Sequence, residues 1–392
     1  MSTNPPFIWQ AATWPAMHYD PMRVAGELAH AHRAQGIVEG KLASLGFEQR
    51  LALAAEAWSQ DAVATAAIEG ERIDLNAVRS SIARRLGVGQ ESGPNVPRNV
   101  EGLLDVMDDA IRERNEPVTH ERIVAWQAAL FPTGYSGMTK ILVGSYRRDA
   151  EPMQIVSGRL GRENVHYEAP PSECVPDEMA NFLAWFNAET EHDSLVKAAL
   201  AHLWFESIHP FEDGNGRIGR VLIDLILARD SGETSRLIRT SQRLLETRAE
   251  YYAQLERAQH GGLDVTEWVL WFVQQVRASC EAASAAVDAV LAKAVFWTNH
   301  RDKALTARQR EVVDVLLDAG PGGFEGGMST KKYERIGGTS RATASRELIE
   351  LEELGLLLRI GAGRSTRYHL NIPGWGSADT EPPNEGDRAG DR

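Results

Sequence analysis

Cysteine is nearly absent: Cys174 and Cys280 are the only two in 392 residues, 106 positions apart, with no CxxC or Cys/His spacing around them. That excludes a disulfide scaffold and a cysteine-based zinc site, and it points to a reducing compartment. Long apolar runs are missing as well. The longest near the middle, 221–228, is broken by Asp224 and falls far short of the roughly 20 residues that cross a bilayer. Positive charge is in deficit, 42 Lys plus Arg against 55 Asp plus Glu, a net charge of −13. The chain as a whole is therefore not a general polyanion binder, although a local basic face stays open. The opening Met1–Pro6 has neither the basic nor the apolar region of a secretory signal. No membrane partner and a cytoplasmic location are expected.

What is present is an ordinary globular composition, 43% hydrophobic and 25% charged. The length suggests two or three domains at roughly 100–200 residues each. Residues 1–87 read as an Ala-rich helical region, in which Trp58, Ala62, Thr65 and Glu69 fall on one helical face. A loop or linker of turn-formers follows at 87–97. Helical patterns fill 98–294, interrupted by two short β-prone runs, 153–158 and 165–168, that read as an inserted hairpin. Residues 301–370 hold 12 Lys plus Arg and 10 Asp plus Glu, a change of sign that marks a separate domain. Its order of helix, helix, helix and hairpin is that of a winged helix-turn-helix. Residues 371–392 are rich in Gly, Pro and acidic side chains and read as a disordered tail.

The segment Ile208-His209-Pro210-Phe211-Glu212-Asp213-Gly214-Asn215-Gly216-Arg217-Ile218-Gly219-Arg220 carries the chemistry. It joins two helical patterns, so the loop runs into a helix N-terminus. Glycines on both sides of Asn215 let backbone N–H groups converge there, and the helix dipole adds positive character. Arg217 and Arg220 complete a cradle suited to a polyphosphate. Asp213 belongs in such a cradle if it holds Mg²⁺, which takes few carboxylates together with phosphate oxygens and water. His209 is the side chain here that takes a proton near neutral pH with little adjustment. Base, metal carboxylate and phosphate cradle within 12 residues imply phosphoryl or nucleotidyl transfer. Glu212 reads as a solvated side chain, His166 and His202 as packing or surface histidines, and Trp14, Trp58 and Trp204 as core aromatics.

These residues match HPFx(D/E)GNGRxxR, the signature of the Fic family, at every specified position, against chance odds on the order of one in 10¹⁰ per window. The chain resembles that family over residues 7 to 370. The resemblance implies a mainly α fold: a Fic-type helical domain with an inserted β-hairpin flap, plus a C-terminal winged helix domain. It implies transfer of AMP from ATP to a Ser, Thr or Tyr hydroxyl of a target protein. His209 would be the base and Asp213 the Mg²⁺ carboxylate. Gly214, Asn215 and Gly216 would face the α-phosphate, Arg217 the β-phosphate and Arg220 the γ-phosphate, with Phe211 anchoring the loop. Ile155, Val156, Val165 and Tyr167 would form the flap, and Tyr252 and Gln259 would lie near the adenine, although relatives often have Asn at the latter position.

Thr65-Ala66-Ala67-Ile68-Glu69-Gly70 is similar to the family's inhibitory pattern (S/T)xxxE(G/N). Glu69 closes a helix, where the dipole disfavours a negative charge by up to ~1 kcal/mol, so a cation is expected beside it. The resemblance names Arg220. In the C-terminal domain, Lys331, Lys332, Arg341, Arg346 and Arg364 are the candidate DNA contacts. Two rival readings stay open: a DNA-binding regulator whose Fic domain only senses nucleotide, and a Fic enzyme that removes AMP or transfers another phosphate-containing group. A homo-oligomer is also left open.

Overall fold

The structure, a computed structural model, describes residues 6–87, 96–159, 162–189, 191–320, 323–324 and 326–375, with backbone only for 157–159, 162–164 and Arg364. Most of the expected loop at 87–97 and the tail from 376 lie outside the described residues. The chain divides at Ser284/Ala285 into two compact units. Among the described residues no helix is long and apolar enough to cross a membrane.

The first unit opens with α1 (Pro21–Leu42), α2 (Phe47–Ile68) and α3 (Leu75–Arg85). Asp20 caps α1, accepting from Met22 N–H with Pro21 in the first turn, and Asp74 caps α3. Next come α4 (Arg98–Arg112) and α5 (His120–Leu130), then two antiparallel pairs, β1 (Tyr135–Ser136) with β2 (Thr139–Lys140) and β3 (Gln154–Arg159) with β4 (Arg162–Glu168). The second pair is the expected hairpin, with Ile155 opposite Tyr167, Val156 opposite Val165, and a register irregularity between them. Helices α6 (Val175–Asn187), α7 (Ser194–Ile208), α8 (Asn215–Ser231), α9 (Thr240–Glu246), α10 (Arg248–Gln259) and α11 (Thr266–Asn299) follow. The boundary between the units falls inside α11.

Helix α7 is the centre of this unit. Every residue from Leu195 to Ile208 is buried, which follows from a sequence that is apolar all round except at Lys197, His202, Glu206 and Ser207. Its most extensive neighbour is α8. The N-terminal region, which the sequence sets apart as residues 1–87, belongs to the same unit, because α2 packs on α9 and α8. Asp61 of α2 accepts from Gln242 N–H in the first turn of α9 at 2.9 Å, and the Arg236 guanidinium lies 4.4 Å over the Trp58 ring. These two contacts fix the helix that ends at Glu69.

The second unit contains α12 (Ala307–Asp318), α13 (Thr330–Ile336), α14 (Arg341–Glu353), β5 (Leu357–Ile360) and β6 (Arg367–Leu370), the order read from the sequence. Ala344, Leu348 and Leu351 of α14 face its core together with Val312 and Leu316. Buried Glu347 joins the three helices, accepting from Arg308 at 2.6 Å and from the Tyr333 hydroxyl at 2.7 Å. One expectation is corrected. The tail was placed from 371, yet Ile372 and Trp375 pack against this core and Asn371 N–H donates to the Leu356 carbonyl, because apolar side chains continue to 375.

Helices α4 and α5 meet backbone to backbone. A Cβ on Gly102 would stand 1.9 Å from the Ala129 carbonyl oxygen. Gly102→Ala should therefore cost about 1–3 kcal/mol through overpacking. Thermal unfolding of the variant checks this, and an unchanged Tm would mean that the two helices part freely.

Candidate functional site

Between α7 and α8 the chain reverses over six residues, 209 to 214. His209 is the single described non-glycine residue with positive φ, +50°, and polar side chains such as histidine tolerate that region better than β-branched ones. Buried Arg147 holds this turn: its Nε donates to the His209 carbonyl at 2.8 Å and its own N–H to the Pro210 carbonyl at 2.9 Å. Phe211 is fully buried beside Tyr146. Asn215 closes the loop, accepting from Phe211 N–H at 2.9 Å and donating to its carbonyl at 2.8 Å. Its side chain is thus committed to the loop's shape. Gly214 has φ +94°, and a Cβ there would lie 2.9 Å from the Phe131 ring, so both conformation and space require glycine. Glu212 departs from its expected solvated role, because its Oε2 accepts from Leu142 N–H at 2.9 Å.

The two arginines of α8 are buried, Arg217 at 3% and Arg220 at 2% exposure. Arg220 donates from Nε to the Thr65 hydroxyl at 2.7 Å and from Nη2 to the Thr65 carbonyl at 3.1 Å and to Glu69 Oε1 at 2.7 Å. Arg217 lies 4.8 Å over the Phe131 ring and donates to Glu71 Oε1 at 3.2 Å. One helix ending supplies both carboxylates. Gly70 has φ +82°, its N–H donates to the Ala67 carbonyl and Glu71 N–H to the Ala66 carbonyl, the paired bonds of a Schellman cap. A Cβ on Gly216 would meet Glu69 Oε1 at 2.2 Å, so the carboxylate rests on the first turn of α8, where an anion is favoured. Burial pushes the Glu69 carboxyl up, but the Arg220 guanidinium beside it, with Arg217 and His209 behind, holds it below the ordinary glutamate value.

Asp213 accepts at Oδ1 from Gly214 N–H at 2.5 Å and at Oδ2 from the Ser136 hydroxyl. Among the described residues no three His, Cys, Asp or Glu side chains group as a metal site. A part-exposed carboxylate at the head of α8, with Arg217 Nη2 3.6 Å away, fits Mg²⁺ in the one way that ion commonly binds, sharing it with substrate oxygens and water.

His209 lines a cavity of about 620 Å³ together with Glu69, Ile155, Val156, Tyr252 and Gln259. Burial first and the Arg147 cation second depress its imidazole to about 4, against upward pushes from the Glu206 carbonyl, Glu69 and Asp213. The ring is neutral at pH 7, as a base must be. Tyr252 donates to the Ile68 carbonyl at 3.2 Å, and Gln259 is 2% exposed with Nε2 unpartnered. Val156 and Val165 expose nearly half their surface, whereas Tyr167 is buried and donates to the Ser207 carbonyl at 2.8 Å. Tyr167 therefore anchors the hairpin from below. Buried His202 donates to or accepts from the Tyr251 hydroxyl at 2.8 Å, and Trp58 and Trp204 lie in the core, as expected.

This geometry coincides with a family match: residues 117–227 fit the model of the Fic/DOC family. Residues 117–227 are a Fic domain. Residues 7–88, which include Glu69 and Glu71, match a domain of unknown function (DUF4172). A protein adenylyltransferase of Caenorhabditis elegans is 29% identical over 268 residues, covering 64% of this chain and 46% of its own length. An Aquifex aeolicus protein named a probable protein adenylyltransferase is 34% identical over 180 residues, 45% of this chain and 48% of its own. The chain spans about half the length of these curated relatives. A solved Fic family protein from Desulfovibrio desulfuricans shares the fold, with a TM-score of 0.52 and 23% identity over 91% of this chain and 98% of its own. The chain is thus a homologue of Fic protein adenylyltransferases, mainly helical around its Fic domain.

Sequence reasoning missed Arg147, Glu71, Ser136 and Glu206. Only Glu71, two places after Glu69, and Glu206, a lone acid in an apolar helix, left any signal. In the second unit Lys331, Arg341 and Arg346 are exposed, Lys332 donates to the Gly327 carbonyl at 3.1 Å, and the Arg364 side chain lies outside the described residues. The depressed imidazole gives a direct check of the site. In NMR titration His209 should stay neutral down to about pH 5 and protonate near about 4, whereas an ordinary midpoint near about 6.5 would contradict its burial beside Arg147.

Proposed function

We propose that the chain is a protein adenylyltransferase that moves AMP from ATP to a Ser, Thr or Tyr hydroxyl of a target protein. The observation that carries this reading is His209 beside a helix N-terminus whose two buried arginines each hold a carboxylate, Arg220 that of Glu69 and Arg217 that of Glu71. The hydroxyl oxygen attacks the α-phosphorus, its proton passes to His209, and the bond to the β-phosphate oxygen breaks to release pyrophosphate. The backbone of Gly214 and Gly216 at the start of α8 stabilises charge developing on the α-phosphate, while Asn215 keeps that backbone in shape. Arg217 and Arg220 hold the β- and γ-phosphates. Asp213 would hold Mg²⁺, which when bound neutralises charge across the phosphates. Tyr252 and Gln259 line the side of the cavity assigned to the base. Ile155, Val156 and Val165 present the hairpin to an extended target segment, with Tyr167 as its anchor.

In the same reading the described state is inhibited. Glu69 occupies Arg220, and Glu71 adds a weaker hold on Arg217, being 38% exposed, where ion pairs contribute at most about 1 kcal/mol. Incubation with labelled ATP and Mg²⁺ tests both claims. Glu69→Gly should raise labelling of the protein itself or of a target at least about tenfold, since a charge-assisted contact is worth ~1.5–3 kcal/mol. Glu71→Ala should raise it less, Glu69→Gly with Arg220→Ala should lose most of the gain, and Glu69→Gly with His209→Ala should transfer nothing. Equal labelling by wild type and Glu69→Gly at matched folding would sink the inhibition claim. Absence of covalent AMP from every variant would favour a nucleotide-sensing regulator instead.

We read the second unit as a winged helix that contacts DNA, supported by its element order and by exposed Lys331, Arg341 and Arg346, with Lys332 and Arg364 alongside. Binding of a DNA duplex by the full chain should weaken steeply with salt as counterions are released. Arg341→Ala with Arg346→Ala should weaken it across sequences. No detectable binding at low salt rejects this reading and leaves a protein-interaction module.

A further inference from the structure

Glu206 has no part in the mechanism above, yet it sits at the centre of the site. It lies one turn before His209 on α7, is 4% exposed, and brings its Oε2 to 3.8 Å from His209 Nδ1. Both His209 Nδ1 and Glu206 Oε1 are buried without a hydrogen-bond partner. Helix α8 leaves room for this acid: a Cβ on Gly219 would stand 2.6 Å from Glu206 Oε1 and 3.0 Å from His202 Nδ1. A buried carboxyl in an otherwise apolar helix is costly unless something uses it.

We propose that Glu206 is the positioning residue of His209, accepting a hydrogen bond from Nδ1–H so that Nε2 is left to take the proton of the attacking hydroxyl. This rests on the assignment of His209 as base. The 3.8 Å gap is one that a small turn of the carboxyl closes, and such bonds often tighten only when substrate is bound. The groups facing Glu206 weaken that bond in this state. Burial, and then the negative charge of Glu69, push its carboxyl up to about 8 against the pull of Arg220, and this favours the protonated form, a weaker acceptor than the carboxylate. His202, depressed to about 3 chiefly by burial and then by Arg220, stays neutral, and Tyr251 is held protonated by burial and by Glu206 itself. Withdrawal of Glu69 removes the like charge and leaves Arg220 to favour the carboxylate, the stronger acceptor for Nδ1–H. One movement of α2's end would then both open the phosphate cradle and orient the base. The rival holder of the ring is the Glu206 main-chain carbonyl, which also faces it.

The test uses the full chain carrying Glu69→Gly. Replacing Glu206 with Ala, which keeps the carbonyl, should lower kcat for AMP transfer about 10–100-fold with KM for ATP within about twofold, the size expected for losing an orienting partner. Glu206→Gln, which still accepts from Nδ1–H, should retain kcat to within about fivefold. Gly219→Ala, which displaces the carboxyl from the neighbouring helix, should act in the same direction as Glu206→Ala and serves if that variant does not fold. Independently of transfer, ¹⁵N shifts of the His209 ring should report the Nδ1–H tautomer in the parent and a mixture in Glu206→Ala. Unchanged ring shifts and kcat in Glu206→Ala would assign the ring to the main-chain carbonyl and overturn the proposal. A parent that transfers nothing would instead defeat the adenylyltransferase reading, with the ring shifts still deciding the role of Glu206.

Discussion

The guanidinium of Arg220 sets the terms for the whole site. It is fully enclosed between α2 and α8, and a buried cation without an anion costs several kcal/mol. Some negative group must therefore always stand against it. In the described state that group is Glu69, with the Thr65 hydroxyl and carbonyl taking the remaining donors. Under the proposed activity a nucleotide phosphate takes that place, bringing negative charge and more acceptors. On the proposed reading the protein thus exchanges one anion for another, and the small difference between two large electrostatic terms decides how much enzyme is open.

That exchange requires the end of α2 to move while its body stays fixed. The body is held by Asp61 capping α9 and by Trp58 under Arg236, about two and three turns before Glu69. The end is held by less: the Schellman turn at Gly70, the Tyr252 hydroxyl on the Ile68 carbonyl, and the two ion pairs of Glu69 and Glu71. Because Glu69 and Glu71 lie on a single turn, losing one pair weakens the geometry of the other. Two pairs on one capping turn therefore behave as one latch rather than two independent contacts.

How much of this was legible in the sequence follows from where each partner lies. The loop from His209 to Arg220 was readable as one unit because its histidine, carboxylate, glycines and arginines are neighbours within 12 residues. Glu69 was readable because a helix-end acid on an apolar face needs a cation. The loop partners of Arg147, His209 and Pro210, lie about 60 residues on, and Ser136 meets Asp213 from 77 residues away; neither has a local pattern to betray it. Glu212 looked free because its partner is a backbone N–H at Leu142, invisible to side-chain reasoning. Tyr167 was assigned to the hairpin's working face, but strand alternation alone does not tell which face is roofed by α7.

On the proposed reading of a protein substrate, the hairpin's anchoring matters. Two strands alone are marginal in water, yet β4 is tied down at three points: Tyr167 to the Ser207 carbonyl, the Glu168 carbonyl to the Trp9 indole at 2.7 Å, and His166 to Glu256 of α10 at 3.1 Å. Each of these anchors lies on β4, and Ile155 and Val156 of β3 line the cavity together with His166 and Tyr167 of β4. An unpaired strand edge held rigid beside a base is a template for an extended segment. Backbone pairing would set the register of that segment whatever its side chains, and the fixed distance from β3 to His209 would then choose which hydroxyl reaches the base. Under the proposed activity, selection among targets falls to the side chains the hairpin exposes, Val156 and Val165, and the choice of residue falls to the hairpin's anchors.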